Sequence, residues 1–155
     1  MRKNYAINMN NELSENFNSQ QLELNYCYKY PHPEVTADCV IFGFDGINIK
    51  VLLIQRGIEP YKGKWAFPGG FMNMDETAEQ CARRELEEET GLKGVTVEQF
   101  YTFTDVNRDP RERVITVAHY ALVKLSEVKG GDDAENAQWF SLDEIPSLAF
   151  DHELI

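Results

Sequence analysis

Between Asp75 and Glu98 the chain carries eight acidic residues against three basic ones, and three of the acids, Glu85, Glu88 and Glu89, fall within five positions. The stretch from Asp75 to Thr90 contains no Pro or Gly and is rich in Ala, Glu, Gln, Arg and Leu, which predicts a helix. Asp75 is placed to cap its start, and Gly91 to close its end. On a helical wheel Glu89 lies about 40° to one side of Glu85 and Glu88 about 60° to the other, so the three carboxylates share one face. The neighbours on that face are Ala78, Cys81 and Ala82, small enough to leave room for a bulky ligand or a closely packed element. Glu85 and Glu89 form an i,i+4 like-charge pair costing roughly 0.2–0.5 kcal/mol, and acids near a helix C-terminus oppose its dipole. Two accounts fit: a solvated face balanced by Arg83 and Arg84, or a site that holds a cation.

The segment ahead of the helix favours the second account. Trp65-Ala66-Phe67-Pro68-Gly69-Gly70 ends on two glycines, where backbone can approach a ligand closely and offer a bare carbonyl or amide. Carboxylates joined by backbone oxygen suit Mg²⁺ or Mn²⁺, hard ions that keep waters and bind substrate phosphates. An acidic protein can thereby hold an anionic substrate through bridging metal.

Read from Gly70 to Leu92, the sequence fits G-x5-E-x7-R-E-U-x-E-E-x-G-U, with U apolar, at every specified position. It therefore resembles the Nudix family, and the flanking segments extend the likeness over residues 34–155. The resemblance implies an α/β fold, the three-layer α/β/α Nudix sandwich with a mixed central sheet. It also implies metal-dependent hydrolysis of a nucleoside diphosphate linked to another moiety. Carried onto this chain, Glu85, Glu88 and Glu89 correspond to the metal ligands, with the carbonyl of Gly69 as a further one and Mg²⁺ as the expected ion, Mn²⁺ being possible. Arg84 would orient the carboxylates, Glu76 would fix the loop before the helix, and Gly70 and Gly91 would be structural members of the motif. Divalent ions would neutralise the diphosphate and activate water for in-line attack. For the general base, Glu88 on the helix and Glu112, Asp132, Asp133 and Glu135 on loops all stay open.

Outside that motif, Val51 to Gly57, Tyr101 to Asp105, Arg108 to Arg111, Trp139 to Pro146 and Ala149-Phe150-Asp151-His152 resemble the ADP-ribose-linked Nudix subgroup of pyrophosphatases and ADP-ribose-sensing regulators. ADP-ribose cleaved to AMP and ribose 5-phosphate is thus the expected reaction. Hydrolysis of 8-oxo-dGTP or another nucleoside triphosphate, and a non-enzymatic ADP-ribose sensor, are the alternatives. The intact motif, and the absence of a winged-helix segment before Ile155, favour an enzyme. Arg56, Arg111 and Phe103 are the expected substrate contacts, with Arg113 and Tyr101 behind them. His119, Trp65 and Trp139 are expected to pack.

These residues need a scaffold. Val35 to Phe44 and Ile49 to Gln55 are apolar and β-branched on either side of Asp45-Gly46-Ile47-Asn48, which predicts a hairpin. Further strands are expected at Val95 to Thr104, Val114 to Lys124 and Gln138 to Phe140. Ser141 is placed to cap a short helix, Leu142 to Ile145, before Pro146. At 155 residues, 43% hydrophobic and 26% charged, the chain has the size and composition of one folded domain. A net charge of −11 argues against a nucleic-acid backbone as partner, and no run approaches the roughly 20 apolar residues of a membrane span. Without a signal-peptide pattern, and with three cysteines lacking metal-ligand spacing, a cytoplasmic location is expected. Residues 1–33, rich in Asn, Gln, Ser and Glu, form an N-terminal extension ahead of the domain at 34–155. Leu22, Leu24, Tyr26, Tyr28 and Tyr30 in it are expected to pack at a homodimer interface or, as an edge strand, back on their own domain.

Overall fold

The alternation of apolar and polar residues resolves into strands that pair around a long parallel ladder. In the computed structural model, which describes residues 28–155, strand β1 (Glu34–Phe44) and β2 (Ile49–Arg56) form the expected hairpin. Its turn is tied by Asp45 Oδ1, which accepts the amides of Ile47 and Asn48 at 2.9 and 2.8 Å. Two short strands follow, β3 (Trp65–Ala66) and β4 (Gly69–Phe71), then helix α1 (Ala78–Thr90), β5 (Glu98–Phe103), β6 (Val114–Lys124) and β7 (Ala134–Ser141). A single 3-10 turn at His152–Leu154 closes the chain.

The sheet runs β3-β2-β1-β6-β5, with β4 also paired to β1 and β7 to β2. β1 and β6 are parallel over their whole length, from Glu34 opposite Val114 to Phe44 opposite Lys124, while the other pairs are antiparallel. β1 and β2 are buried on both faces, as strands in a layered sheet must be. Ala37, Cys39, Ile41, Leu52 and Ile54 face one core, shared with Cys81, Ala82 and Leu86 of α1. Val40, Val51 and Leu53 face the other, filled by Phe67, Leu148 and Ile155. The mixed sheet thus lies between α1 and the C-terminal segment, whose one helical turn is of 3-10 type.

Three elements depart from the sequence expectation. The helix begins later, because Thr77 and Gln80 form a reciprocal capping box: Thr77 Oγ1 accepts the Gln80 amide and Gln80 Oε1 accepts the Thr77 amide. Asp75 and Glu76 therefore lie in the turn ahead of it, not at the cap. No helix follows Ser141. β7 runs to that residue, and the few positions left before Pro146 make one turn, closed by the Glu144 amide on the Ser141 carbonyl at 2.9 Å. The Trp65–Phe71 segment, which carries no element signal in the sequence, forms β3 and β4 on either side of Phe67 and Pro68, strands too short for any periodic pattern. Residues 22–27 of the expected dimer segment lie outside the described residues.

Candidate active site

The motif acids reach their places through α1 and β4 together. Cys81 and Ala82 are fully buried against the sheet, so the small-residue stripe serves close packing: Cys39 Sγ lies 3.3 Å from the Ala82 carbonyl and Cys81 Sγ 3.6 Å from that of Gly70. This draws the helix onto β4 and sets Glu85 and Glu89 beside the two glycines. Glu89 Oε2 accepts the Gly69 amide at 2.9 Å. A methyl group on Gly70 would run into the Glu85 carboxylate, 2.5 Å from its carbon, and one on Gly69 would lie 2.5 Å from Asp38 Oδ1. Bare backbone is required at both positions by this close approach.

Arg84 is the hub of the acid wall. Its Nε and Nη2 fork onto Glu76 at 3.0 and 2.6 Å, Nη2 also reaches the Phe71 carbonyl, and Nη1 donates to Glu85 Oε1 at 2.7 Å and Glu88 Oε2 at 3.0 Å. Glu76 in turn accepts the Asn73 amide at 2.7 Å, which fixes the loop before the helix. The Arg84 hydrogen bonds hold the Glu76 carboxyl down at about 2. Burial does the opposite to Glu89, pushing it up to about 8, with the Gly69 amide opposing and the charges of Glu85 and Asp38 adding to the rise. Burial raises Glu85 too. Cys81 is pushed up to about 12 by burial and then by Glu76, so it is a packing thiol, not a nucleophile.

Glu85 and Glu89 line a cleft of about 270 Å³ together with Gly69, Gly70, Arg84, Asp38, Arg56, Arg108, Arg111, Asp132, Asp133, Phe71 and Phe150. Glu88 is absent from that lining; its side chain is 43% exposed and turned to Arg84. Of the loop acids, Asp132 and Asp133 face the cleft, whereas Glu112 and Glu135 do not, Glu135 pairing with Lys62 at 3.7 Å. The loop comes close because the Gly131 amide donates to the Glu89 carbonyl at 3.2 Å, and a side chain on Gly131 would strike the Glu88 carbonyl. Gly91 ends α1 at φ 75° with its amide on the Glu87 carbonyl.

Arg56 and Arg111 are in the cleft as expected, each stacked on Phe150, at 4.9 and 5.5 Å from the ring centre. Phe103 is not. It sits on β5 against Tyr101, at 4.9 Å between rings, in a separate depression with Thr104, Asp105, Val106, Asp151 and Leu154, and so makes no contact with this chain's own cleft. Tyr101 shares that depression; its β5 side chain is exposed because the strand is the sheet's outer edge. Arg113 binds the carbonyls of Thr104, Asp105 and Val114 and serves the loop. His119 is buried on β6 with Nδ1 3.0 Å from the Val117 carbonyl, and Trp65 packs edge-on against Phe140.

Sequence reasoning missed three members of the site. Asp38 is buried in the cleft wall and accepts the Thr116 hydroxyl, which is itself hydrogen-bonded to that of Thr36. Its one signal was an acid inside an otherwise apolar strand. Arg108 forks onto Asp151 at 3.0 and 2.7 Å with its side chain 4% exposed, and Phe71 carries the Arg111 guanidinium at 5.0 Å; Arg108 lies in the segment likened to the ADP-ribose subgroup and Phe71 in a free position of the motif, and neither carried a role of its own.

Oxygen donors dominate the acid wall, and Glu89 is buried with the Gly69 amide as its one hydrogen-bond partner among the described residues, facing the charges of Glu85 and Asp38 against that of Arg56. That chemistry fits a hard divalent cation. Among the described residues no three His, Cys, Asp or Glu side chains are grouped to hold a metal ion by themselves.

Comparison with known proteins agrees with the geometry. The NUDIX domain model matches residues 32–155. An ADP-ribose pyrophosphatase of Methanocaldococcus jannaschii is 42% identical over 126 residues, covering 81% of this chain and 72% of that one. The ADPR responsive transcriptional repressor NtrR of Acinetobacter baylyi is 37% identical over 147 residues, and the match covers 90% of this chain but only 59% of the repressor's length. Among solved structures, the NUDIX domain of Shewanella oneidensis NrtR complexed with ADP ribose superposes with a TM-score of 0.74 at 32% identity, over 84% of this chain and 89% of that one.

Proposed function

The chain belongs to the Nudix family, and from that premise we propose that residues 34–155 form a metal-dependent pyrophosphohydrolase that cleaves ADP-ribose to AMP and ribose 5-phosphate. One observation carries the reading: Glu85, Glu89 and the Gly69-Gly70 backbone converge on a cleft whose other polar lining includes the guanidiniums of Arg56 and Arg111. An acid wall to hold divalent metal and nearby cations to hold phosphate are the two halves of a diphosphate site.

Glu85 and Glu89, with the Gly69 carbonyl, would hold Mg²⁺ or Mn²⁺, which supplies charge neutralisation and a Lewis acid for the diphosphate. Arg84 fixes the Glu85 carboxylate and restrains Glu88, which approaches the metal only by leaving Arg84. Arg56 and Arg111 bind phosphate oxygens. Water attacks phosphorus, the new P–O bond forming as the anhydride P–O bond breaks, and the attacking water's proton passes to a carboxylate. Asp132 and Asp133 stand in the cleft for that role, where Glu112 and Glu135 do not. The protein is expected to act as a homodimer through residues 22–30. Deleting residues 1–30 and weighing the product in solution tests this, a surviving dimer removing the interface role.

The test is product analysis on a panel of ADP-ribose, NADH, diadenosine polyphosphates and 8-oxo-dGTP with Mg²⁺. ADP-ribose should give the highest kcat/KM, with AMP and ribose 5-phosphate as products. A nucleoside triphosphate preferred by more than about tenfold, roughly 1.4 kcal/mol of discrimination, overturns the substrate and leaves the family. Tight ADP-ribose binding without turnover would make the protein a sensor, the reading that the repressor relative supports.

A further inference from the structure

Phe150 is held with unusual firmness for a residue outside the motif. Its φ of 54° lies in the left-handed region, which a non-glycine residue occupies only when its surroundings over-determine it. Anchors on both sides do so here. The Ala149 amide donates to the Trp65 carbonyl at 2.8 Å, Asp151 takes the buried Arg108 fork, and His152 Nδ1 accepts the Phe67 amide at 3.0 Å.

The ring so presented meets two cations. The Arg56 guanidinium lies 4.9 Å and that of Arg111 5.5 Å from its centre, and Tyr61 packs edge-on at 4.9 Å. Like charges this close repel; burial first, and then Arg111, hold Arg56 below its ordinary pKa. Yet Arg56 spends only Nε among the described residues, on the Pro60 carbonyl at 2.8 Å, and has no carboxylate partner there. Arg111 commits Nε and Nη2 to Asp109 and leaves Nη1. Two adjacent guanidiniums with unspent donors, in a chain of net charge −11, form a socket for an oxyanion.

We propose that Phe150 is a positioning residue whose ring gathers Arg56 and Arg111 into one clamp for a phosphate oxygen of the substrate. The inference rests on reading the cleft as a pyrophosphohydrolase site. It adds that the aromatic ring, through cation–π contact with both arginines, sets ground-state binding and not the chemical step.

The experiment compares Phe150→Ala, Phe150→Leu, Phe150→Tyr and Phe150→Trp in the full chain. Kinetics are run on whichever panel member the wild type cleaves fastest, and ADP-ribose affinity is measured by calorimetry in EDTA. Removing the ring in the Ala and Leu variants should raise KM about tenfold and weaken the metal-free affinity to match, with kcat within about threefold. The Tyr and Trp variants should stay near wild type, and Arg111→Ala should cost less in the Phe150→Ala background than in the wild type. Leu keeps the volume without the π face, so restoration of KM by Phe150→Leu overturns the clamp, as does a KM change below about threefold in Phe150→Ala. If ADP-ribose is not the preferred substrate, the same KM pattern on another one upholds the clamp while the substrate reading falls. Absence of both turnover and metal-free binding in the wild type sinks both.

Discussion

Glu89→Gln should make the metal-free protein more stable while nearly abolishing its activity. Glu89 is 6% exposed and its carboxyl is raised to about 8 from the usual 4.5 or so. Between those values the folded state binds more protons at this site than the unfolded chain, so stability falls as pH rises, by about 1.4 kcal/mol per pH unit, and levels off above about 8. By pH 7 the accumulated cost is about 3 kcal/mol. The amide variant escapes it but weakens the hydrogen bond from Gly69 and adds an NH₂ group, an offset of about 1 kcal/mol. Urea unfolding in EDTA at pH 7 should therefore place the variant's midpoint about 1 M higher, for a net gain of about 2 kcal/mol. That gap should close toward pH 5. With Mg²⁺ the wild type should gain about 2.7 kcal/mol at a hundredfold excess over Kd and the variant far less, while turnover of the variant falls at least about 10²-fold. Equal pH dependence of the two proteins between pH 5 and 8, or a variant less stable than wild type at pH 7, would refute the placement of Glu89 as an acid raised by burial.

Two further substitutions probe the supports of the cleft. Gly70→Ala drives a methyl group into the Glu85 carboxylate, so kcat/KM should fall by about 10²-fold with the far-UV spectrum unchanged; activity within threefold of wild type would show that the carboxylate has room to move. Arg108→Ala strands the partly buried Asp151 carboxylate and should cost about 3 kcal/mol in denaturant unfolding, a loss under 1 kcal/mol contradicting a pair closed to solvent on the Arg108 side.

The hairpin, α1 and β6 were legible because each carries a long periodic run with turn or cap chemistry at its ends. The acid face was legible as well, since Glu85 and Glu89 violate charge economy on a single helix, a conflict visible without tertiary contacts. What stayed hidden depends on pairing between distant segments. β3 and β4 are two and three residues long and become strands only because β2 and β1 offer them edges. Thr77 displaced Asp75 as cap through its reciprocal bond with Gln80, a competition between neighbours that propensity ranks poorly. Glu88 shares the helical face, but Arg84, four residues earlier, turns it away from the cleft. Phe103 and Phe150 are the same residue type, and only the chain path puts one on an outer edge and the other between two arginines.

The parallel β1–β6 ladder also bears on how the molecule comes to exist. Its partners, such as Thr36 and Thr116, stand 80 residues apart, and the whole catalytic motif lies inside the loop their pairing closes. Helix α1 can form within its own sequence on the order of a microsecond, but folds dominated by such distant pairings complete in about milliseconds to seconds. On a ribosome the ladder cannot close before Lys124 has emerged, and Phe150 takes its place later still. The nascent protein therefore carries its acids and glycines long before it has a cleft, and competence should arrive as a late, all-or-none event tied to the docking of residues 125–155.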